Sequence, residues 1–273
     1  MMMHHESHYR CPLCQQTLHF QDKQFSCANQ HNFDQAKEGY VNLLPVQFKR
    51  SKQPGDNQDM VKARRDFLTQ GYYQPLADKL LALTQNHNRI LDAGCGEGYY
   101  TAQLKTANNH IYGVDIAKTA IKLAAKKYPQ CAFSVATLSQ LPFEDQLFDC
   151  IISVYAPIID TEFHRLLKPH GMLITVTPAE QHLMALKALI YQQAVAHNTK
   201  REPITQLALI DQQQLRYDMH INSSEHALNL LAMTPFAFKQ SPQLITQLKA
   251  AQSFICEADF LIRVYQKPAL LQT

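Results

Sequence analysis

The sequence predicts an α/β protein: a small metal-held module at the N-terminus, then a Rossmann-like domain on a seven-stranded mixed sheet. Three observations predict it. Three cysteines and a histidine stand in two short knuckles within the first 31 residues. The run Arg89-Ile-Leu-Asp-Ala-Gly-Cys-Gly-Glu-Gly-Tyr-Tyr100 reads as a strand, a tight turn and a helix start. Beyond it, short apolar runs alternate with helical stripes, which implies parallel strands, crossover helices and ligand sites at the strand C-termini.

At 273 residues the chain has room for one large domain and a small module. Hydrophobic residues make up 46% and charged residues 18%, with a net charge of +3, so affinity for a nucleic acid must come from local patches. Met1 to Arg10 carries histidines where a signal peptide needs an apolar core, and no apolar run is long enough to cross a bilayer. The expected location is cytoplasmic, with no membrane partner. Seven cysteines, an odd number, fit a metal site plus buried thiols better than a disulfide framework.

The first unit, residues 1–46, is organised by Cys11-Pro-Leu-Cys14 and, after twelve residues, Cys27-Ala-Asn-Gln-His31. Three thiolates and an imidazole close a tetrahedron around Zn²⁺, and a closed four-ligand site is structural. His19 is a competing ligand, placed mid-hairpin and outside a knuckle. Leu18, Phe20 and Phe25 form a small hairpin packed beside the metal. Residues 47–88 are a basic linker and two helices. Lys49-Arg-Ser-Lys-Gln-Pro-Gly-Asp56 holds three cations in four residues within a turn-forming context. From Asp59 to Leu68, Met60, Ala63, Phe67 and Leu68 follow helical spacing opposite Lys62, Arg64 and Arg65. Gly71 to Leu83 is a second helix, placed to cover a cofactor.

Residues 89–273 form the third unit. Glycines at 94, 96 and 98 allow positive φ and close ligand approach, and the following helix start offers free N–H groups. Counting six positions from Gly94 or Gly96 reaches Tyr99 or Thr101, so the dinucleotide fingerprint is absent. The run instead resembles the first motif of class I S-adenosylmethionine (SAM)-dependent methyltransferases, with Asp92 suited to a cationic ligand. His110-Ile-Tyr-Gly-Val-Asp115 is a second strand ending in an acid 23 positions after Asp92, the offset of a ribose ligand. Cys131 to Val135 is the third strand. Leu141-Pro-Phe, Phe148 to Tyr155 and Leu166 to Thr175 match later signatures of the same class. Thr137 stands where many relatives carry an acid for the adenine amine.

Tyr155, Ala156 and Pro157 end the fourth strand and face the crevice. Tyr155 offers a ring for stacking a base and a hydroxyl for orienting it. Tyr155, Pro157 and Asp160 are the catalytic candidates, with the general base unassigned. Glu180 to Tyr191 has helical spacing, and His182 within it follows the fifth strand. Leu215 to Asn222, Ser224 to Thr234 and Ala258 to Tyr265 read as strand, helix and strand, the closing antiparallel pair.

The whole chain resembles the zinc-ribbon 23S rRNA (guanine-N1)-methyltransferases. The resemblance rests on the knuckles, on Phe33-Asp-x-Ala-Lys-x-Gly-Tyr-Val-Asn-Leu-Leu-Pro-Val46 and on Gly71-x-Tyr-Gln-Pro-Leu76. The Gly94 to Tyr100 turn, Tyr155-Ala-Pro157, His182-Leu-Met184 and Met233-Thr-Pro-Phe-Ala237 complete it. It implies Zn²⁺ on Cys11, Cys14, Cys27 and His31, SAM contacts from Tyr73, Gly96, Glu97 and His182, a 23S ribosomal RNA substrate, and a homodimer whose ribbons help form an RNA cleft. Two branches modify neighbouring guanines, 745 and 748, and the Lys37 to Gln47 wording is similar to the 745 branch.

Overall fold

The computed structural model describes residues 8–48, 58–199 and 204–269. The cationic loop residues Lys49, Arg50 and Lys52 lie outside them. The N-terminal module is a three-stranded antiparallel sheet of β1 (His19–Gln21), β2 (Gln24–Ser26) and β3 (Asn32–Asp34). Leu18 and Phe25 are buried, while Phe20 stays exposed and lies against the Phe25 ring at 4.6 Å.

The main sheet has eight strands where the sequence predicts seven. The additional one is β4 (Val41–Asn42), followed along the chain by β5 (Arg89–Ala93), β6 (His110–Asp115), β7 (Ala132–Val135) and β8 (Phe148–Val154). The sheet is completed by β9 (Leu167–Pro178), β10 (Ala208–Ile221) and β11 (Phe254–Gln266), in the order β10-β11-β9-β8-β5-β6-β7-β4. Val41 and Asn42 pair in parallel with Ser134 and Val135, and Leu43 N–H donates to Val135 O at 2.9 Å. The physical reason is local. Tyr40, Val41, Leu43 and Leu44 are all buried, and the edge of β7 satisfies the backbone that this apolar run carries inside.

Among the described residues there are eight α-helices, α1 (Gln58–Leu68), α2 (Gln74–Thr84), α3 (Tyr99–Gln103), α4 (Lys118–Lys127), α5 (Asp160–Leu166), α6 (Met184–Ile190), α7 (Ser224–Ala232) and α8 (Pro242–Ala250), and both α1 and α8 pack on α7. The stripe expected on α4 is the one buried: Ala120, Ile121, Ala124 and Ala125. The helix expected from Glu180 begins only at Met184. Residues before it turn, with Leu183 at φ 56°, because β11 takes their amides: Gln181 N–H donates to Asp259 Oδ2 and Leu183 N–H to Glu257 O. The closing strands are longer than their spacing suggests, pairing from Ala208↔Gln266 to Ile221↔Phe254. Among the described residues no helix is long and apolar enough to cross a membrane.

The N-terminal module packs directly on the sheet. Tyr9 lies 5.1 Å from the Phe143 ring and 6.3 Å from Tyr112, and Tyr9, Leu18 and Phe25 share one apolar cluster with Phe143, Phe148 and Phe163. Arg10 N–H donates to Pro142 O at 3.0 Å, and its guanidinium shares Asp145 with that of Arg165. The Leu141-Pro-Phe segment is therefore the dock for the ribbon.

Candidate functional site

The knuckles bring four ligand atoms within 4.8 Å of one another. Gln15 and Gln30 adopt left-handed φ after the first ligands, and their amides turn back to Cys11 O and Cys27 O. His31 Nδ1 then sits 3.4 Å from Cys11 Sγ and 3.5 Å from Cys27 Sγ, with Cys14 Sγ 3.6 Å from Cys27 Sγ. A tetrahedron with zinc–sulfur bonds of about 2.3 Å has edges of about 3.8 Å, so the donor set fits Zn²⁺ in size and chemistry. Burial pushes the Cys11 thiol up to about 11, so a thiolate at this position calls for a cation beside it. His19 is exposed on β1 and outside this group.

At the C-terminal ends of β5 and β6 the three glycines all have positive φ, +85° at Gly94, +54° at Gly96 and +77° at Gly98. A Cβ on Gly94 would lie 2.4 Å from Ala156 Cβ, and one on Gly98 2.9 Å from the Phe133 ring. One on Gly96 would meet nothing within 4 Å, which leaves an open cradle over the turn. Asp115 ties the turn to β6: its Oδ2 accepts from Gly96 N–H at 2.9 Å and its Oδ1 from Ala117 N–H at 2.8 Å. The open turn and the carboxylate that ties it to β6 suit SAM in space and chemistry.

Asp92 lies beneath the turn, 1% exposed, where its Oδ2 accepts from Thr101 Oγ1 at 2.6 Å. Burial raises it from 3.8 to about 7. Between those values the folded chain holds a proton that the unfolded chain has released. Stability from this group is present below pH 3.8 and lost as pH rises to about 7. In the cofactor-free protein Asp92→Asn is expected to gain on the parent as pH rises from 4 to 7, by at most about 4 kcal/mol, and to level off above. Urea titrations across that range check it, and a gap independent of pH would refute it.

Glu97, raised to about 7 by burial, has a buried Oε1 without a hydrogen-bond partner. It lines a cavity of about 290 Å³ with Arg65, Leu68, Tyr99, Leu123 and Lys127. Thr137, in the loop after β7, shares a hydroxyl contact of 2.9 Å with Ser139.

The other wall gathers residues from distant segments. Tyr155 ends β8 at φ 57°, with its N–H on Val176 O. Its hydroxyl is 3.1 Å from His182 Nε2, and that of Tyr73 is 3.5 Å from the same nitrogen. His182 is 4% exposed, and Asp259 N–H donates to its Nδ1 at 3.1 Å. Burial lowers it to about 3, so the ring is neutral. Phe260 packs 5.0 Å from both His182 and Tyr73. Sequence reasoning missed Asp259 and Phe260, whose only signal is the register of β11.

Asp160 is turned elsewhere. Its Oδ2 accepts from Thr205 N–H at 2.8 Å, Thr205 Oγ1 at 2.9 Å and Gln206 N–H at 3.1 Å, which pins that segment to α5. The structure thus joins Tyr73, Tyr155 and His182, joins the glycines to Asp115, and commits one Asp160 oxygen to a loop. Pro157 is exposed two residues beyond Tyr155.

Residues 9–52 match the zinc-ribbon family model described as RlmA, N-terminal, and residues 90–171 match a methyltransferase domain model. A Streptomyces fradiae protein described as 23S rRNA (guanine(748)-N(1))-methyltransferase is 30% identical over 85% of this chain and 86% of its own. Putative 23S rRNA (guanine-N(1)-)-methyltransferases are similar too. That of Micromonospora griseorubida is 30% identical over 90% of this chain and 92% of its own. YxjB of Bacillus subtilis is 31% identical over 94% and 96%.

Proposed function

From the premise that this chain belongs to the 23S rRNA (guanine-N1)-methyltransferase family, we propose that it methylates N1 of guanine 745 in a hairpin of 23S ribosomal RNA. One observation carries the reading: a four-ligand zinc cluster and an open glycine cradle beside Asp115 stand in one chain that matches these relatives over most of its length. The wording of Lys37 to Gln47 favours 745, while the named activity of the Streptomyces fradiae relative keeps 748 as the second reading.

Guanine N1 carries a proton above neutral pH, so transfer requires that proton to leave, or charge on O6 to be stabilised, while the methyl group is held in line. Positioning and charge stabilisation dominate such a step. SAM, when bound, supplies the methyl group. Tyr73, Gly96, Glu97, Asp115 and His182 would hold it, Asp92 shapes the turn beneath, and Thr137 would stand on its adenine side. The test is incubation with labelled SAM and unmodified rRNA, then nucleoside analysis and mapping of the modified position. Absence of N1-methylguanosine overturns the reading, and label at 748 selects its alternative.

The protein acts as a homodimer, with ribbon and linker contributing to RNA binding. Arg64 is drawn to Met233 O and Arg65 pairs with Asp66, so the loop cations Lys49, Arg50 and Lys52 with Lys62 carry the phosphate contacts. Neutralising the three loop cations is expected to leave SAM affinity unchanged and to flatten the log–log salt dependence of RNA binding, by roughly 0.7 to 0.9 for each phosphate no longer neutralised. Parental RNA binding across a salt series would make the loop a solvated linker.

A further inference from the structure

We propose that Tyr155 is a catalytic residue that donates its hydroxyl proton in a hydrogen bond to O6 of the target guanine, and that His182 positions it through the Asp259 backbone amide. The inference rests on the guanine-N1 reading above.

The Asp259 amide sets the roles of the groups around it. A backbone N–H only donates, so this amide, 3.1 Å from His182 Nδ1, leaves that nitrogen without a proton. The ring is buried and neutral, so its proton is on Nε2. A protonated Nε2 has no in-plane lone pair, and the hydroxyls of Tyr155 at 3.1 Å and Tyr73 at 3.5 Å can only accept from it. Among the described residues, His182 is the sole hydrogen-bond contact of either hydroxyl. Both phenolic protons are therefore unspent, and both sit at the C-terminal edge of the sheet, where a ligand lies.

The two phenols differ in setting. Tyr73 is 5% exposed, enclosed by Phe67, Phe260 and His182. Tyr155 is 46% exposed and presents its ring at the open lip, held there by a left-handed backbone uncommon for an aromatic residue. The residue after it, Ala156, abuts Gly94, so this lip borders the cofactor turn. An incoming base reaches Tyr155 first. Guanine offers O6 beside the reacting nitrogen. As the N1 proton passes to water, negative charge spreads onto O6, and the N1 electron pair takes the methyl group while the carbon–sulfur bond breaks onto sulfur. A hydrogen bond to O6 strengthens along that path, so it favours the transition state over bound substrate. Desolvation raises Tyr155 well above the usual phenol range, so its hydroxyl is protonated at neutral pH.

The experiment uses full-length protein and an RNA hairpin carrying either guanosine or 6-thioguanosine at the target. Production of N1-methylguanosine by the parent is measured first, and its absence overturns both the functional reading and this inference. Tyr155→Phe is expected to bind SAM within twofold of the parent and to lower the single-turnover rate on the oxygen RNA about a hundredfold. On the sulfur RNA, whose acceptor is weak, the same substitution is expected to change the rate less than tenfold. An equal loss on both RNAs, or parental turnover on the oxygen RNA, overturns the contact. A loss that saturating SAM restores assigns the hydroxyl to the cofactor and overturns it as well. His182→Gln, which keeps an acceptor for Asp259 N–H and a donor for Tyr155, is expected to retain more rate than His182→Leu when Tyr155 is present, and no more in the Tyr155→Phe background. Equal rates for the two with Tyr155 present overturn the positioning role.

Discussion

Removing the zinc is expected to melt more than the ribbon. Structural zinc in small modules is held by about 10 to 16 kcal/mol, which matches or exceeds the whole stability of a typical domain. A module of three three-residue strands has nothing comparable to replace it. Tyr9, Leu18 and Phe25 share an apolar cluster with Phe143, Phe148 and Phe163, so an unfolded ribbon uncovers the main core. Each such side chain exposed costs about 1.5 to 3 kcal/mol. The chain also continues from the ribbon into β4, the edge strand of the main sheet. Calorimetry with and without a strong chelator, or of Cys11→Ser, is therefore expected to show a single transition lowered by at least about 10 °C. The parent should release one zinc per chain. Two separate transitions, with the major one unmoved, would make the ribbon an independent bead.

Where the sequence was legible, the information was local. Knuckle spacing placed Cys11, Cys14, Cys27 and His31 around one point, and alternate glycines placed a positive-φ turn between a strand and a helix. Within each knuckle, and within the turn, those constraints lie a few residues apart. What escaped was settled by pairing across the sheet. Val41 and Asn42 are too short a run to signal a strand until β7 supplies an edge. Gln181 and Leu183 carry helical spacing, yet β11 captures their amides. The contacts of Asp160 Oδ2 with Thr205 and Gln206 join segments 45 positions apart, beyond any local reading. The tautomer of His182 depends on an amide 77 positions away, which no window of sequence exposes.

Gly94→Ala is expected to abolish SAM binding at ordinary concentrations. Two independent costs meet at this position. At φ +85° an L-residue with a Cβ is strained by roughly 1 to 2 kcal/mol. The new Cβ would also stand 2.4 Å from Ala156 Cβ, which has no rotamer by which to escape, so overpacking adds roughly 1 to 3 kcal/mol. Relief comes only by parting the ends of β5 and β8, the two ends that set the width of the crevice. Gly96→Ala separates folding from ligand binding. Its φ is +54°, in the ordinary left-handed region, and its Cβ meets nothing within 4 Å, so about 1 kcal/mol of stability is the expected loss. That Cβ nevertheless enters the space assigned to SAM, and affinity should fall at least about tenfold, or 1.4 kcal/mol. Thermal unfolding and calorimetric SAM titration of the two variants check the split. If Gly96→Ala bound SAM like the parent, the cofactor would not lie over this turn, and Asp115, which fixes the turn through the Gly96 amide, would lose its assignment with it.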